Sequence, residues 1–377
     1  MTTTSYWLAE PHEPLPRVDL DAPPEVAVVG GGITGCSCAL ALAEAGRRVR
    51  LYEARQIAGG ASGRNGGFAL RGGAAPYLVL VESVGRDRTA ALWRWTEEAL
   101  DDLAELAGDA LRRTGSLRLA ADDEEREELT HELAALREDG FAVEWANDLV
   151  AALRGKYAAA IRHPDDGVLQ PARLVRRLAR RAALAGVDIR EHVRVGSAEE
   201  TGAEHVVVAT DGYPSGLLGA LEGLIVPTRG QVIATEPLRE RLFETPHYGR
   251  HGFDYWHQTR DGRLVAGGFR DVSLHDEFTA EESTTPVVQN ALEEFAGSLF
   301  GRKLRIDHRW AGIFGLVLDF LPVVGRVPGE ENVWIAGGYS GHGNVLGFAC
   351  GRLVAHAILG EEDPLLDLFE PSRLVLA

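Results

Sequence analysis

Three glycines and one acidic residue near the amino terminus have the spacing of a dinucleotide-binding site. Gly30, Gly32 and Gly35 form a G-x-G-x-x-G pattern directly after the apolar run Val26–Val29, which predicts a buried parallel strand. The first glycine permits a tight turn, the second lets a pyrophosphate approach the backbone, and the third lets the next helix pack closely. Glu53 ends the following predicted strand, where a carboxylate accepts hydrogen bonds from both ribose hydroxyls. Because an acid there repels a 2′-phosphate, we expect an unphosphorylated adenosine.

A second glycine-rich stretch follows, although a nicotinamide dinucleotide site has no need of one at this point. Residues 53–67 fit the pattern E-A-x-x-x-x-x-G-A-S-G-R-N-G-G. This pattern resembles a segment of the FAD-dependent amine and amino-acid oxidoreductases, a family that includes D-amino-acid oxidase, glycine oxidase, sarcosine oxidase and γ-glutamylputrescine oxidase. In that family the backbone of the segment passes along the ribityl chain and the flavin ring. The alternative interpretation of residues 59–67 is a flexible surface loop.

A third glycine-rich stretch lies near the carboxyl terminus and extends the resemblance. Residues 312–325 have the spacing G-x6-D-x2-P-x2-G, which is similar to the C-terminal flavin segment of the family. A predicted strand over 333–336 leads into the glycine-rich loop 337–343, and Asn344 opens a predicted helix. Because helix N-termini favour negative charge, this loop would stabilise the charge that flavin N1 and the C2 oxygen gain on reduction. Asn344 stands where relatives have an apolar residue, and its amide is expected near the pyrimidine edge.

The resemblance implies that the cofactor is FAD, bound without a covalent link. Some relatives attach the flavin to a cysteine of the C-terminal segment, but Cys350 lies inside the following predicted helix instead. Val195 falls where a backbone contact to adenine is expected, and residues 206–210 match the strand that closes the nucleotide domain. The expected cofactor contacts are Gly30, Gly32, Ile33, Thr34, Gly35, Glu53, Ala54, Arg55, Gly60, Ala61, Ser62, Arg64, Asn65, Gly66, Gly67, Val195, Ala209, Thr210, Gly312, Gly338, Tyr339, Ser340, Gly341, His342, Gly343 and Asn344.

Several side chains are candidates for contact with a substrate. Arg71 lies nine residues after Ser62, where sarcosine-oxidase-like relatives carry an arginine that pairs with the substrate carboxylate; the alternative is a solvated loop arginine. Tyr255 and His257 share one face of a predicted strand, and Tyr255 is either over the flavin or in the core. His342 lies either beside the flavin ring or in an ordinary loop. The full set of candidates is Arg71, Tyr255, His257, Arg270, Tyr339 and His342.

The resemblance implies oxidative deamination of an amine or amino acid, with hydride passing to flavin N5 and O2 reoxidising the flavin. No catalytic acid or base is assigned, because an apolar pocket would itself lower the pKa of the substrate amine and supply its neutral form. In sarcosine oxidase a lysine assists the reaction with oxygen, and Val265 takes that place here. Two alternatives therefore remain: a dehydrogenase that uses another electron acceptor, and a flavin-binding subunit of a heteromeric dehydrogenase. The γ-glutamylputrescine oxidase branch is the most similar in pattern.

The order of the predicted elements indicates an α/β fold, with a Rossmann-like FAD-binding domain and an α+β substrate domain built on a mixed sheet. Helices are expected over residues 36–45, 87–111, 122–139, 171–185, 285–300 and 344–358, and a short strand over 193–195. The expected segments are an N-terminal arm over 1–24, a FAD-binding domain from 25–70, 165–220 and 311–377, and a substrate domain from 71–164 and 221–310. Within the arm, Ser5, Tyr6 and Trp7 are expected to be anchored to the surface.

Composition limits the remaining classes of function. The formal net charge of −17 argues against binding to nucleic acid or to anionic membranes. No apolar run approaches the roughly 20 residues that a membrane-spanning helix needs, and no secretory signal is visible, so a cytoplasmic location is expected. The three cysteines form no zinc or C-x-x-C pattern, and no metal site is predicted. The expected partners are a small amine or amino acid and O2 or another electron acceptor; the sequence does not determine an oligomeric state.

Overall fold

A computed structural model describes residues 4–375 of the chain and contains sheets of six, eight and three strands. The strands are β1 (Val26–Val29), β2 (Val49–Glu53), β3 (Phe68–Ala69), β4 (Leu111–Arg113), β5 (Ser116–Ala120), β6 (Glu144–Trp145), β7 (Ala159–His163), β8 (Gly167–Leu169), β9 (Asp188–Glu191), β10 (His205–Val208), β11 (Val226–Thr235), β12 (His247–Gly249), β13 (Asp254–Gln258), β14 (Leu264–Gly268), β15 (Ile306–Leu316), β16 (Val323–Arg326) and β17 (Val333–Gly337). The α-helices are α1 (Ile33–Glu44), α2 (Tyr77–Val84), α3 (Arg86–Ala107), α4 (Asp123–Glu138), α5 (Pro171–Leu184), α6 (Pro286–Phe300), α7 (Val345–Leu359) and α8 (Pro364–Phe369).

The six-stranded sheet has the strand order β16-β17-β10-β1-β2-β9, and only β16 at its edge is antiparallel. All four residues of β1 are buried, as expected for a strand that is covered on both faces. The chain leaves β1 through α1 toward β2 on one side, whereas β10 lies on the other side of β1. The carboxyl end of β1 is therefore a topological switch point, where α/β sheets bind ligands. This arrangement confirms the predicted Rossmann-like fold.

Helices α1 and α7 pack against each other at unusually close range, because small residues face each other. A Cβ on Gly351 would lie 2.4 Å from the backbone oxygen of Thr34. Ser37 Oγ donates a hydrogen bond of 2.7 Å to the Phe348 carbonyl, which ties the two helices together. Both helices follow glycine-rich loops, at Gly32 and at Gly343, so close packing brings these two loops to the same edge of the sheet.

The eight-stranded sheet has the strand order β15-β11-β14-β13-β12-β5-β7-β6 and is mixed, because β12 and β5 are parallel while the other pairs are antiparallel. One face packs on α6 around Trp256, which is fully buried. Residues directly opposite each other on neighbouring strands point to the same face. The register therefore places one row of side chains on the other face, namely Trp310, Val232, Tyr255, Tyr248, Arg118 and Ile161, with Gly267 between Val232 and Tyr255.

Most predicted elements are present, with one clear error. The strand expected over 193–195 is absent, because His192 adopts φ 61° immediately after β9 and turns the chain out of the sheet.

Two observations concern the expected domain borders. Strand β15 stays in the eight-stranded sheet up to Leu316, so the border at 311 falls within it. Helix α3, from the segment expected in the substrate domain, packs on α7, where Asp102 and Arg352 form an ion pair.

Within residues 4–375, none of the helices combines the length and the apolar character needed to span a membrane. The same part of the chain holds no cluster of three or more histidine, cysteine, aspartate or glutamate side chains suited to a metal ion. Cys36, Cys38 and Cys350 are all free thiols, and each is fully buried. Burial raises the pKa of these thiols, so they are protonated at neutral pH.

Candidate active site

The glycine-rich loops from the two ends of the chain are joined by a pair of asparagine side chains. Asn65 Nδ2 donates to Asn344 Oδ1 at 3.0 Å, and Asn344 Nδ2 donates to Asn65 Oδ1 at 3.2 Å. Asn344 Nδ2 also donates to the Phe68 carbonyl at 2.7 Å. The two glycine-rich loops, residues 59–67 (the 60s loop) and residues 337–343 (the 340s loop), therefore converge, as expected if both border one flavin. The side-chain amide of Asn344 is hydrogen-bonded to the 60s loop and to Phe68, and the sequence did not suggest this structural role.

Glu53 closes the turn between β1 and α1. Its two carboxylate oxygens accept hydrogen bonds of 2.7 Å from the backbone amides of Gly31 and Arg55. Each carboxylate oxygen can accept a second hydrogen bond, which leaves capacity for the two hydroxyls of a ribose. Ser62 Oγ accepts a hydrogen bond of 3.0 Å from Ile33 N, which joins the 60s loop to the start of α1. These contacts bring the predicted adenosine and pyrophosphate segments together.

The edge beside Glu53 shows two features that fit a bound dinucleotide. Thr210 Oγ1 is buried and has no hydrogen-bond partner within the described chain, so a ligand group is the natural partner for this hydroxyl. A Cβ on Gly32 would lie 2.9 Å from Ser62 Oγ, so only glycine lets the 60s loop approach the turn this closely. The stretch that leads to Val195 starts alongside Glu53, since Val193 N donates to the Glu53 carbonyl at 2.9 Å.

Asp211 is a structural centre of the site that sequence reasoning missed. Its carboxylate accepts hydrogen bonds from Gly338 N at 2.8 Å and from Gly315 N at 3.0 Å, so it connects β10, β15 and the 340s loop. Asp211 has φ 48°, an uncommon backbone conformation that is tolerated by aspartate more readily than by larger residues. Burial raises the pKa of its carboxyl, and the backbone amides oppose that shift. The one signal in the sequence was an acidic residue directly after an apolar strand.

Glu282 is a second residue that could not be selected from the sequence pattern. It lies on the segment between Glu277 and α6, which crosses from the eight-stranded sheet to the dinucleotide edge. Its carboxylate accepts hydrogen bonds from Arg55 Nη1 at 2.8 Å and from the Tyr213 hydroxyl, and Arg64 Nη2 lies 3.6 Å away. Glu282 thus connects the substrate-side sheet to three segments of the nucleotide fold.

Arg71 is deeply buried and already paired. Its side chain is 1% exposed, its guanidinium donates to Glu97 and to the Ala142 carbonyl, and Asp165 Oδ2 lies 3.6 Å from Nη1. A substrate carboxylate would have to displace Glu97 to reach this guanidinium. The structure therefore gives Arg71 a place in a structural ion-pair cluster and not an open position beside the 60s loop.

Arg270 differs from Arg71, because its charge has no partner. Its guanidinium carbon lies 4.6 Å from the ring centroid of Phe253 and 5.8 Å from that of Phe314. Within the described residues, no carboxylate lies within ion-pair distance of this guanidinium. Burial lowers the pKa of Arg270, as expected for a cation between aromatic rings, but arginine remains charged at neutral pH.

The Tyr255 ring packs against the 60s loop. A Cβ on Gly66 would lie 2.8 Å from its ring, and the Phe68 ring packs edge-on against it at a centroid distance of 5.6 Å. Burial raises the pKa of Tyr255 to about 12, so its hydroxyl is neutral and can donate a hydrogen bond. The structure shows no hydrogen bond from this hydroxyl to another described residue. Tyr255 and Arg270 thus present free polar groups on the same side of the sheet as the 60s loop.

The other three substrate candidates occupy different places. Tyr339 is buried between α1 and α7, and its hydroxyl shares a hydrogen bond of 2.9 Å with Thr34 Oγ1. His257 lies behind the 60s loop, where Nε2 is 2.9 Å from the Gly66 carbonyl. His342 remains in the 340s loop, half-buried, and burial lowers its pKa to about 4. Only His342 among the three keeps a position open to a ligand.

A comparison with known families identifies this arrangement. The family model described as FAD dependent oxidoreductase matches residues 25–357, which is most of the chain. The chain belongs to this family. The resemblance predicted from the three glycine-rich stretches is thereby confirmed, and so is FAD as the cofactor.

The relatives of this oxidoreductase cover nearly its whole length. It is 29% identical to the γ-glutamylputrescine oxidoreductase of Escherichia coli K12, over 96% of this chain and 90% of the relative. It is 28% identical to a glycine oxidase of Bacillus licheniformis, over 89% of this chain and 93% of the relative. The fold is that of the glycine oxidase structure from Geobacillus kaustophilus, with a TM-score of 0.72, 24% identity and coverage of 92% and 98%. The L-proline dehydrogenase structure from P. horikoshii gives a TM-score of 0.77 at 24% identity, with coverage of 94% and 98%.

The asparagine pair in this FAD-dependent oxidoreductase allows a direct test. Replacing Asn344 with alanine removes three hydrogen bonds and takes away the side-chain donor of the partly buried Phe68 carbonyl. We expect the free energy of unfolding to fall by about 1–3 kcal/mol, measured by urea denaturation of the FAD-loaded protein. The matched control is Asn290→Ala on the exposed side of α6, which should change stability by less than about 0.5 kcal/mol. Equal stabilities for Asn344→Ala and the unaltered protein would contradict the structural role.

Buried histidines predict a loss of stability at acid pH. Burial lowers the pKa of His163 to about 3 and the pKa values of His247 and His257 to about 4. In the unfolded chain these groups titrate near pH 6.5, so below that pH the unfolded state binds more protons. The free energy of unfolding should fall between pH 6.5 and 4, by up to about 1.4 kcal/mol per pH unit for each histidine. The buried Asp166 carboxyl, whose pKa is raised to about 6, opposes this trend as a single group.

Urea denaturation at a series of pH values measures this trend. The midpoint should drop between pH 6.5 and 5, while it should change little between pH 7.5 and 8.5, where these histidines are neutral in both states. A constant midpoint from pH 7.5 to 5 would show that the three histidines are not held in their neutral form.

Proposed function

We propose that this FAD-dependent oxidoreductase oxidises the C–N bond of an amine or amino acid that carries a carboxylate, with O2 as the final electron acceptor. The observation that carries the proposal is the pairing of Asn65 with Asn344, which brings both glycine-rich loops together, with the Tyr255 ring against Gly66 of the 60s loop. The names of the relatives supply the substrate class, since a γ-glutamylputrescine oxidoreductase and a glycine oxidase both act on compounds that contain an amine.

The residues that would hold FAD lie along one path. Glu53 would accept hydrogen bonds from the ribose hydroxyls, the amides at the start of α1 would face the pyrophosphate, and the two glycine-rich loops would border the flavin. When bound without a covalent link, FAD supplies the two-electron oxidation, taking hydride from the carbon next to nitrogen at N5. Cys350 is fully buried within α7, which fits noncovalent binding.

Arg270 and Tyr255 would orient the substrate. A guanidinium without a carboxylate partner is suited to bind a carboxylate in the bidentate manner. The neutral Tyr255 hydroxyl would donate a hydrogen bond without adding charge. His342, which is partly exposed in the 340s loop, is also neutral at pH 7, so it would not repel an approaching ammonium. The aromatic surroundings from Phe68 and Phe314 would exclude water and lower the pKa of the bound amine, which favours the neutral form that gives up hydride.

An anaerobic reduction assay tests this proposal. The FAD-loaded protein is mixed without oxygen with amines and with D- and L-amino acids, and the yellow absorption band of the oxidised flavin is followed. We expect at least one amine that carries a carboxylate to bleach the band, and its uncharged amide to do so more slowly. If no member of a broad panel bleaches the flavin, the proposal fails. If a second protein that co-purifies with the chain restores bleaching, the chain is instead one subunit of a heteromeric dehydrogenase.

A second candidate function is a dehydrogenase that passes electrons to an acceptor other than O2. The observation in its favour is that no lysine takes the place of the oxygen-activating lysine. The chain has only Lys156 and Lys303, and both are exposed. Val265, at the place expected for the oxygen-activating lysine, is fully buried in β14. Parallel assays of hydrogen peroxide formation and of dye reduction distinguish the two. Peroxide formed at the rate of substrate oxidation supports the oxidase, whereas dye reduction without peroxide supports the dehydrogenase.

A further inference from the structure

Four consecutive carbonyl groups of the 60s loop each accept a hydrogen bond from a side chain elsewhere in the chain. Ser5 Oγ donates to the Gly63 carbonyl at 2.5 Å, and Trp310 Nε1 donates to the Arg64 carbonyl at 2.8 Å. Trp7 Nε1 donates to the Asn65 carbonyl at 2.8 Å, and His257 Nε2 lies 2.9 Å from the Gly66 carbonyl. Two of these four donors, Ser5 and Trp7, belong to the N-terminal arm.

The start of the arm is built into the core and does not lie loosely on the surface. Ser5 is fully buried and Trp7 is 3% exposed. The Trp7 ring stacks parallel to His257 at a centroid distance of 6.0 Å and meets the edge of Trp310 at 6.4 Å. Its carbonyl accepts a hydrogen bond of 3.1 Å from Gln170 Nε2 at the start of α5. The anchored patch expected from the sequence is therefore confirmed, and it is anchored on the loop that borders the flavin.

The direction of these carbonyls fixes the direction of the backbone amides. In a trans peptide the carbonyl of one residue and the amide of the next point in opposite directions. The Arg64 and Asn65 carbonyls point toward Trp310 and Trp7, so the amides of Asn65 and Gly66 point away from the arm. Neither of these amides donates a hydrogen bond to a group within residues 4–375. By contrast, the amides of Arg64 and Gly67 are satisfied by the Ala61 carbonyl and by Asn65 Oδ1.

We propose that Trp7 and Trp310 are positioning residues for the flavin. They hold the carbonyl dipoles of the 60s loop outward, so that the free amides of Asn65 and Gly66 face the cofactor and stabilise the negative charge of its reduced form. This inference rests on the proposed function in one respect, namely that the 60s loop borders the flavin ring. It assigns to the N-terminal arm a share in setting the reduction potential, through bonds that lie on the far side of the loop.

The variant Trp7→Phe tests the inference, because phenylalanine keeps an aromatic ring between His257 and Trp310 but removes the indole donor. The Asn65 carbonyl loses its partner and can turn toward the flavin, where its negative end opposes reduction. We expect the dissociation constant for FAD to rise about tenfold and the midpoint potential of the bound flavin to become more negative. The second variant, Trp310→Phe, removes the donor to the Arg64 carbonyl, which sets the direction of the Asn65 amide, and should shift the potential in the same direction.

The matched control is Tyr6→Phe, which changes the residue next to Trp7 in the arm. The Tyr6 hydroxyl donates to Asp261 at 3.2 Å near the surface and touches no carbonyl of the 60s loop, so its loss should leave the potential unchanged. If these two tryptophans have a purely structural role, Trp7→Phe and Trp310→Phe will lower the unfolding temperature without moving the potential, and that result would overturn the inference. If Trp7→Phe does not fold, the potential of Trp310→Phe decides. The anaerobic assay of the unaltered protein shows separately whether an amine reduces the flavin. A failure of the proposed reaction can therefore be distinguished from a failure of this inference.

Discussion

Replacing Gly35 with alanine is expected to abolish FAD binding and to yield a colourless protein. A Cβ at this position would lie 1.9 Å from the Gly30 backbone oxygen and 3.1 Å from its carbonyl carbon. Backbone atoms cannot rotate away as a side chain can, so the start of α1 would have to move away from β1. The turn between Gly30 and Gly35 is the part that would hold the pyrophosphate, and its displacement should weaken FAD binding by more than about 100-fold.

Quenching of FAD fluorescence during a titration into the apoprotein measures this effect. The control is Gly46→Ala at the end of α1, where φ is 81° but no atom lies within 4 Å of the added Cβ. That variant should lose about 1 kcal/mol of stability and bind FAD normally. If Gly35→Ala binds FAD with unchanged affinity, the G-x-G-x-x-G turn does not hold the dinucleotide.

Replacing Arg270 with methionine is expected to reduce kcat/KM for an acidic substrate by about 100-fold, while the uncharged amide of the same substrate loses little. The reason is that Arg270 lies between Phe253 and Phe314 with no carboxylate partner, so a substrate carboxylate would be its counter-ion. Loss of a buried charge pair with a ligand typically costs about 2–5 kcal/mol. Methionine has a similar length and keeps the aromatic packing, which limits the change to the charge. Steady-state kinetics with the acid and its amide measures the difference.

Arg71→Met serves as the comparison for Arg270→Met. Because Arg71 is buried and donates to Glu97 and to the Ala142 carbonyl, its loss removes both contacts and should reduce stability, with equal losses of activity on the acid and the amide. The opposite pattern, in which Arg71→Met selectively impairs the acid and Arg270→Met does not, would return the carboxylate-binding role to Arg71.

Local sequence patterns predicted the parts of the fold that depend on neighbouring residues. The apolar run at Val26–Val29 is β1, and Pro171 opens α5 as expected from its preference for the first helical turn. The prediction of a strand over 193–195 was wrong. The β-branched and charged residues there favour an extended chain, but they do not reveal whether a neighbouring strand is available to pair with it. His192, with its positive φ, turns the chain at the end of β9, and Val193 N makes one last hydrogen bond to the Glu53 carbonyl.

The contacts that assemble the site could not be predicted, because their partners are far apart in the sequence. Asp211 meets Gly338 across 127 positions, and Asn65 meets Asn344 across 279. Arg71 was selected by its spacing from Ser62, but its charge is neutralised by Glu97 on α3, and spacing cannot reveal a partner on another element. The anchored Trp7 was predicted from the low tendency of tryptophan to remain in solvent, whereas the carbonyl to which it donates required the fold.

A crystal structure of the protein with FAD bound tests the central claim most directly, namely that glycine-rich backbone from both ends of the chain surrounds one flavin. We predict that the flavin ring contacts the 60s loop around Asn65 and Gly66 and also the 340s loop between Gly338 and Asn344, with its N5 side toward Tyr255. A flavin that contacts only one of the two loops, or that lies outside the space they enclose, would contradict the account.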